Sequence, residues 1–127
     1  MSPIFFAFIG AVFAGLTVAL GAFAAHALKA ILDSYSQSVW EKAVFYQAIH
    51  SLALLILPTM SHLMTPKTLQ ITGYLFIAGI FLFSGSLFVL AVTGRKYLGA
   101  ITPFGGIAFI LGWTWLAVSL FKAVFHS

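Results

Sequence analysis

The sequence predicts an all-α integral membrane protein, a four-transmembrane-helix up-and-down bundle. Three observations carry this expectation. The 127-residue chain has only six Lys/Arg and two Asp/Glu. Its mean hydropathy is +1.12. All eight charged residues lie at or between long apolar runs, never in the middle of one. A water-soluble domain needs a charged shell, and this chain has too few charges to make one. A spanning helix needs about 20 apolar residues, and four runs reach that length. The length suggests one domain, 1–127, without a soluble appendage.

The first span covers about 3–28, from Pro3 to Leu28 without a charge, and Lys29 ends it. Ala22-Phe23-Ala24 resembles a signal-peptide cleavage site. No Lys or Arg precedes the run, however, and it is too long for an ordinary signal core, so a retained span is expected. A polar connector follows, containing Asp33, Ser34, Ser36 and Gln37. Its apolar side, Ile31, Leu32 and Tyr35, suits the membrane interface. The second span covers about 39–63. Ser38 is its expected N-cap, and Glu41 would complete a capping box with it. Thr65-Pro66 is a start signal, a cap followed by proline at the first helical position. It opens the third span, about 67–92. Thr93-Gly94-Arg95-Lys96 is a short basic turn, and Thr102-Pro103 repeats the start signal before the fourth span, about 103–125.

Short connections make consecutive helices antiparallel neighbours, with both termini on one side. Lys29, Lys42, Arg95 and Lys96 flank the first and third loops, against Lys67 and Lys122 on the other side. The positive-inside rule therefore places the first and third loops in the cytoplasm. The basic residues occur singly or in one pair, so lipid headgroups, not nucleic acid, are the expected partner. The absence of cysteine excludes disulfides and thiolate chemistry. Trp and Tyr fall mostly near span ends, although Trp113 and Trp115 lie deeper.

Inside lipid, helices associate by close packing of small residues. The first span offers Ala7, Ala11, Ala14, Val18, Gly21 and Ala25 on one face. The third offers Gly79 and Ser84-Gly85-Ser86; the fourth offers Gly105, Gly106, Ala108, Gly112 and Ser119. These seams serve packing within the bundle or self-association between copies.

Polar residues inside a span need a partner or a purpose. The second span carries Tyr46, Gln47, His50 and Ser51, with Gln47, His50 and Ser51 on one face. Thr17 and His26 stand on the first span, Ser84 and Ser86 on the third, and Thr114 on the fourth. At 1.5 Å of rise per residue, His26 and Glu41 lie about 4 Å deep and His50 roughly 16 Å deep. All these groups fall in the half of the bilayer facing the first and third loops. The expectation is a polar pocket or network with His26 and Glu41 at its mouth and Gln47, His50, Ser84 and Ser86 at its floor. Two readings stand side by side: a ligand site, or a closed hydrogen-bond network that fixes helix register.

Several chemistries fit poorly. His26 and His50 differ by about 12 Å along the membrane normal, so they are not expected to ligate one haem. No carboxylate lies near mid-membrane for proton-coupled transport. Ser84 or Ser86 with His50 lacks the third group of a hydrolytic triad. No metal site or cofactor is expected.

Four stretches resemble a known family. Ala19-Leu20-Gly21-Ala22-Phe23-Ala24-Ala25-His26 resembles Gly-Ala-Phe-Gly-Ala-His. Tyr46-Gln47-Ala48-Ile49-His50 resembles Tyr-Gln-x-x-His after a Trp. Phe83-Ser84-Gly85-Ser86-Leu87-Phe88 resembles Phe-Ser-Gly-Ser-Leu-Tyr. Thr102-Pro103-Phe104-Gly105-Gly106, followed by Gly112-Trp113, resembles Thr-Pro-x-Gly-Gly…Gly-Trp. In this order they are similar to the YgdD-like family of small bacterial inner-membrane proteins. The resemblance implies four spans and an inner (plasma) membrane location, and it supplies no activity. The chain departs from the pattern at Ala24, often Gly, and at Phe88, often Tyr.

The sequence therefore points to a non-enzymatic membrane protein whose polar site binds a small molecule or lipid headgroup or forms a structural network. A small homo-oligomeric transporter or channel is the first alternative. A redox or quinone-associated membrane subunit is the second.

Overall fold

The computed structural model describes residues 2–126. Four helices long and apolar enough to cross a membrane run through it. They are α1 (Ile4–Leu28), α2 (Ser34–Leu63), α3 (Pro66–Thr93) and, after a 3-10 turn at Lys96–Ala100, α4 (Thr102–His126). No strand is present among the described residues. α1 packs on α2, α2 on the second half of α3, and α3 on α4. The start of α1 also reaches α3, where Phe6 meets Tyr74 edge-on at 5.2 Å and Phe13 meets Phe81 at 5.6 Å.

The helix starts follow local chemistry. Asp33 is extended, and its carboxylate accepts the Ser36 backbone N–H at 2.7 Å, capping α2. The Ser38–Glu41 capping box is thereby corrected, because α2 begins at Ser34 and both residues lie within it. Gln37 explains the tight connector. Its Nε2 donates to the Lys29 and Leu32 carbonyls at 3.0 and 2.8 Å, tying the connector to the first turn of α2. Thr65 caps α3 by accepting from the Thr68 N–H at 3.2 Å, with Pro66 at the first position. Thr102 turns its hydroxyl away from that role, towards Ser86 at 2.6 Å and the Leu98 carbonyl at 3.3 Å. α3 stops at Gly94, whose φ of 70° is left-handed and whose N–H closes on the Leu90 carbonyl at 2.8 Å.

Three of the long helices are not α-helical throughout. α2 ends in a 3-10 stretch at Leu57–Leu63. Ala24–Leu28 ends α1 as a π turn, and Ile80–Gly85 forms a π segment inside α3. Two apolar clusters fill the bundle. Phe6, Leu54, Leu57, Leu69, Phe76, Ile80, Phe109 and Leu116 form one. Leu28, Val39, Trp40, Ala43, Leu87, Leu90 and Ala91 form the other, near the first loop.

Close approach occurs at particular glycines. A Cβ on Gly10 would stand 2.7 Å from both the Leu55 nitrogen and the Ser51 carbonyl oxygen, so α1 and α2 touch backbone to backbone there. A Cβ on Gly105 would collide with the Phe83 backbone, and one on Gly112 would stand 2.7 Å from the Phe76 ring. Gly73 and Gly79 are sockets for the Phe6 and Phe109 rings. Three expected packing positions are different. Gly21, Gly85 and Gly106 have room for a methyl, their nearest contacts lying at 3.5, 3.8 and 3.8 Å. The α1 seam is also corrected. Its buried line is Phe6, Gly10 and Thr17, while Ala11, Val18 and Ala25 are exposed. The socket for Phe6 and the hydrogen bond to Thr17 fix the rotation of α1, and they outweigh a uniform stripe of small residues.

Candidate functional site

The interior polar groups are built from α2 outward. Val39, Trp40, Ala43, Gln47, His50, Ser51, Leu54 and Leu57 are its buried residues, recurring at helical spacing so that one broad side of the helix faces the bundle. His50 is 3% exposed. Its Nε2 lies 2.9 Å from Trp113 Nε1, and its Nδ1 lies 2.6 Å from the Tyr46 carbonyl oxygen. An indole N–H can only donate, so Nε2 accepts. Nδ1 then carries the proton and donates to Tyr46. The ring lies flat on Phe109, 3.5 Å between centroids and 9° from parallel, with Phe76 edge-on at 5.3 Å. Both nitrogens are committed, one face is covered by Phe109, and the ring is buried. This histidine has no lone pair to offer a metal or haem.

The other polar groups close on different helices. Gln47 Nε2 donates to Thr17 Oγ1 at 2.9 Å and to the Phe13 carbonyl at 3.2 Å, joining α2 to α1. Ser51 returns its hydroxyl to the Gln47 carbonyl at 2.5 Å. Ser84 donates to the Ala43 carbonyl at 2.8 Å, joining the π segment of α3 to α2. Ser86 bonds Thr102 on α4. Trp40 donates its indole N–H to the Leu20 carbonyl at 3.0 Å. Ala43 and His50 are separated by about 10 Å along α2, so the Ser84 hydroxyl and the imidazole are not at one level. The structure brings Gln47, His50, Ser84 and Ser86 inside the bundle, but as separate interhelical ties and not around a common cavity. Among the described residues, Thr72 Oγ1 is the buried side-chain polar atom without a hydrogen-bond partner.

The two expected mouth residues part company. His26 and Glu41 are both exposed, and no bond joins them. Glu41 lines a groove of about 520 Å³ between the end of α1 and the start of α2. Its walls are mainly apolar, including Ala24, Leu28, Trp40 and Val44, and Lys29 and Gln37 line it with Glu41. Lys29 and Glu41 have opposite charges, and among the described residues neither has an ionic partner. His26 is not among the lining residues. A second groove, also about 520 Å³, lies at the far end between the start of α3 and the end of α4. No group of three or more His, Cys, Asp or Glu side chains suited to a metal ion occurs among the described residues.

Sequence reasoning missed Trp113, Lys29 and Gln37. Trp113 carried a signal, since an indole N–H deep in a span needs an acceptor and His50 was within reach of the same level. The other two read as connector residues, because nothing in a linear sequence shows a groove.

Residues 20–106 match the family described as a protein of unknown function, DUF423. A UPF0382 membrane protein of Staphylococcus aureus (strain bovine RF122) is 46% identical over 117 residues, covering 92% of this chain and 95% of the relative. The UPF0382 membrane protein YwdK of Bacillus subtilis is 44% identical over 119 residues, covering 92% and 96%. No solved structure matches. The family type expected from the four motifs, small bacterial membrane proteins of an uncharacterised family, is what the relatives are; the family names found are DUF423 and UPF0382.

Proposed function

This chain belongs to the DUF423 family, the UPF0382 membrane proteins, and on that premise we propose that it is a non-enzymatic protein that holds a zwitterionic lipid headgroup at the membrane surface. The interior residues Gln47, His50, Ser84 and Ser86 then act as the structural network, and the ligand-binding part falls to Glu41 with Lys29. One observation carries this reading. A carboxylate and an ammonium line one apolar-walled groove, and among the described residues neither has an ionic partner. A headgroup bearing both a phosphate and a primary ammonium supplies the complementary pair, and the apolar wall suits its glycerol and acyl portion. The same end carries Lys42, Arg95 and Lys96, which supports a cytoplasmic position in the plasma membrane.

The test is native mass spectrometry of the protein released from bilayers of phosphatidylethanolamine, phosphatidylcholine or phosphatidylglycerol. Retention of phosphatidylethanolamine above phosphatidylcholine, lost in Glu41→Gln and in Lys29→Gln, supports the proposal. Equal retention of all three, unaffected by either substitution, refutes it. A second reading, self-association, is favoured by the outer face of α1, where Ala11 and Gly15 are exposed and Gly15 has no neighbour within 4 Å. The copy number in the same spectrum decides it.

A further inference from the structure

The second groove differs in charge from the first. It is lined by Leu63, Met64, Leu111, Trp115 and Val118 on its apolar side and by Lys122 and His126 at its end. Thr65, Thr68 and Ser119 add hydroxyls. No Asp or Glu lines it, and the chain's two acidic side chains, Asp33 and Glu41, both belong to the other end of the bundle. Among the described residues Lys122 has no ionic partner.

Its dimensions match half a bilayer. From Leu111 to Lys122 the groove follows α4 for roughly 16 Å. One leaflet of a typical bilayer has a hydrocarbon depth of about 15 Å. The mid-membrane end is Leu111 and the interfacial end is Lys122 and His126, so polarity along the groove follows polarity along a lipid. Trp115 and Val118 would flank an acyl chain, and the cation would stand at headgroup level.

We propose that this groove is a binding site for a membrane phospholipid of net negative charge, held by Lys122 at its phosphate and by the α3–α4 cleft along one acyl chain. The site is separate from the groove at Lys29 and Glu41 and shares no residue with it. It lies in the opposite leaflet and selects by one sign of charge, where the first selects by two. Neither proposal depends on the other.

The experiment uses the full chain in nanodiscs containing phosphatidylglycerol and phosphatidylcholine, released for native mass spectrometry. Retained phosphatidylglycerol should exceed its share of the bilayer. Lys122→Gln should reduce that excess about five-fold, the effect of one Lys beside anionic headgroups. Lys122→Glu should abolish it. Lys67→Gln, at the same end but outside the groove lining, should leave most of it. Val118→Trp, which fills the apolar wall, should reduce retention without changing charge. Retention that follows bilayer composition overturns the proposal. So does an equal loss in the Lys67 and Lys122 variants, which would report a diffuse surface field. Displacement of the lipid by millimolar inorganic phosphate also overturns it, because the site would then be one for a free anion.

Discussion

Replacing Trp113 by Phe should destabilise the bundle by about 1–3 kcal/mol, the usual effect of leaving a buried acceptor without its donor. The size follows from the surroundings of His50. Its Nε2 accepts from the indole at 2.9 Å, and at 3% exposure water has no access to replace that donor. The indole itself is 41% exposed, so the smaller ring loses little buried area. The interaction is isolated by a double-mutant cycle with His50→Leu, measured by reversible unfolding in mixed detergent micelles. Interhelical hydrogen bonds in membranes show coupling averaging about 0.6 kcal/mol and reaching about 1.7. A value in the upper part of that range is expected, because the partner is an aromatic-walled imidazole with no alternative donor. Trp115→Phe, on the same helix but lining the far groove, should show no coupling to His50. Coupling within error of zero between positions 50 and 113 would refute the structural role assigned to this histidine.

Gly105→Ala forces a methyl into the Phe83 backbone and should cost about 1–3 kcal/mol, as overpacking does, whereas Gly106→Ala should be near neutral; thermal unfolding of the two proteins makes the comparison. Gln47→Leu removes the donor to Thr17 and Phe13 and should cost about 0.5–2 kcal/mol, with recovery in the double variant that also carries Thr17→Val. The Ser36 N–H holds the exposed Asp33 carboxyl below its ordinary carboxylate value. A depressed pKa means that the cap stabilises the folded chain above the ordinary value and stops doing so as pH falls through the lowered one. The protection of the first-turn amides of α2, measured as exchange relative to the unstructured chain at the same pH, should therefore fall on acidification, and Asp33→Ala should remove that dependence.

Much of the fold was legible because membrane spans follow from length, hydropathy and charge placement. The Thr65-Pro66 start was readable for the same reason: capping is local chemistry. Asp33 was passed over in favour of Ser38, because a capping-box pattern is more conspicuous than a lone Asp, and the ties from Gln37 to Lys29 and Leu32 are tertiary facts. Depth arithmetic found the polar residues but not their directions. Gln47 and His50 are three apart on one helix, yet one faces α1 and the other α4. A helix in the middle of a bundle has neighbours on several sides, and periodicity alone does not say which. Gly10 was missed in a run rich in small residues, where only the approach of Ser51 and Leu55 distinguishes it from Ala11.

The π segment at Ile80–Gly85 phases the two halves of α3 separately. Before it, Gly73 and Gly79 receive rings from α1 and α4; after it, Leu87, Leu90 and Ala91 join the cluster around Trp40. A wide turn amounts to one surplus residue in an otherwise regular coil. Excising a single residue there would restore a regular coil and leave both halves facing as they do, whereas excising one from a regular turn of α3 would swing everything downstream by about 100°. Ordinary insertions and deletions are tolerated in loops, but here the count of residues within a transmembrane helix is itself a determinant of which neighbours it meets.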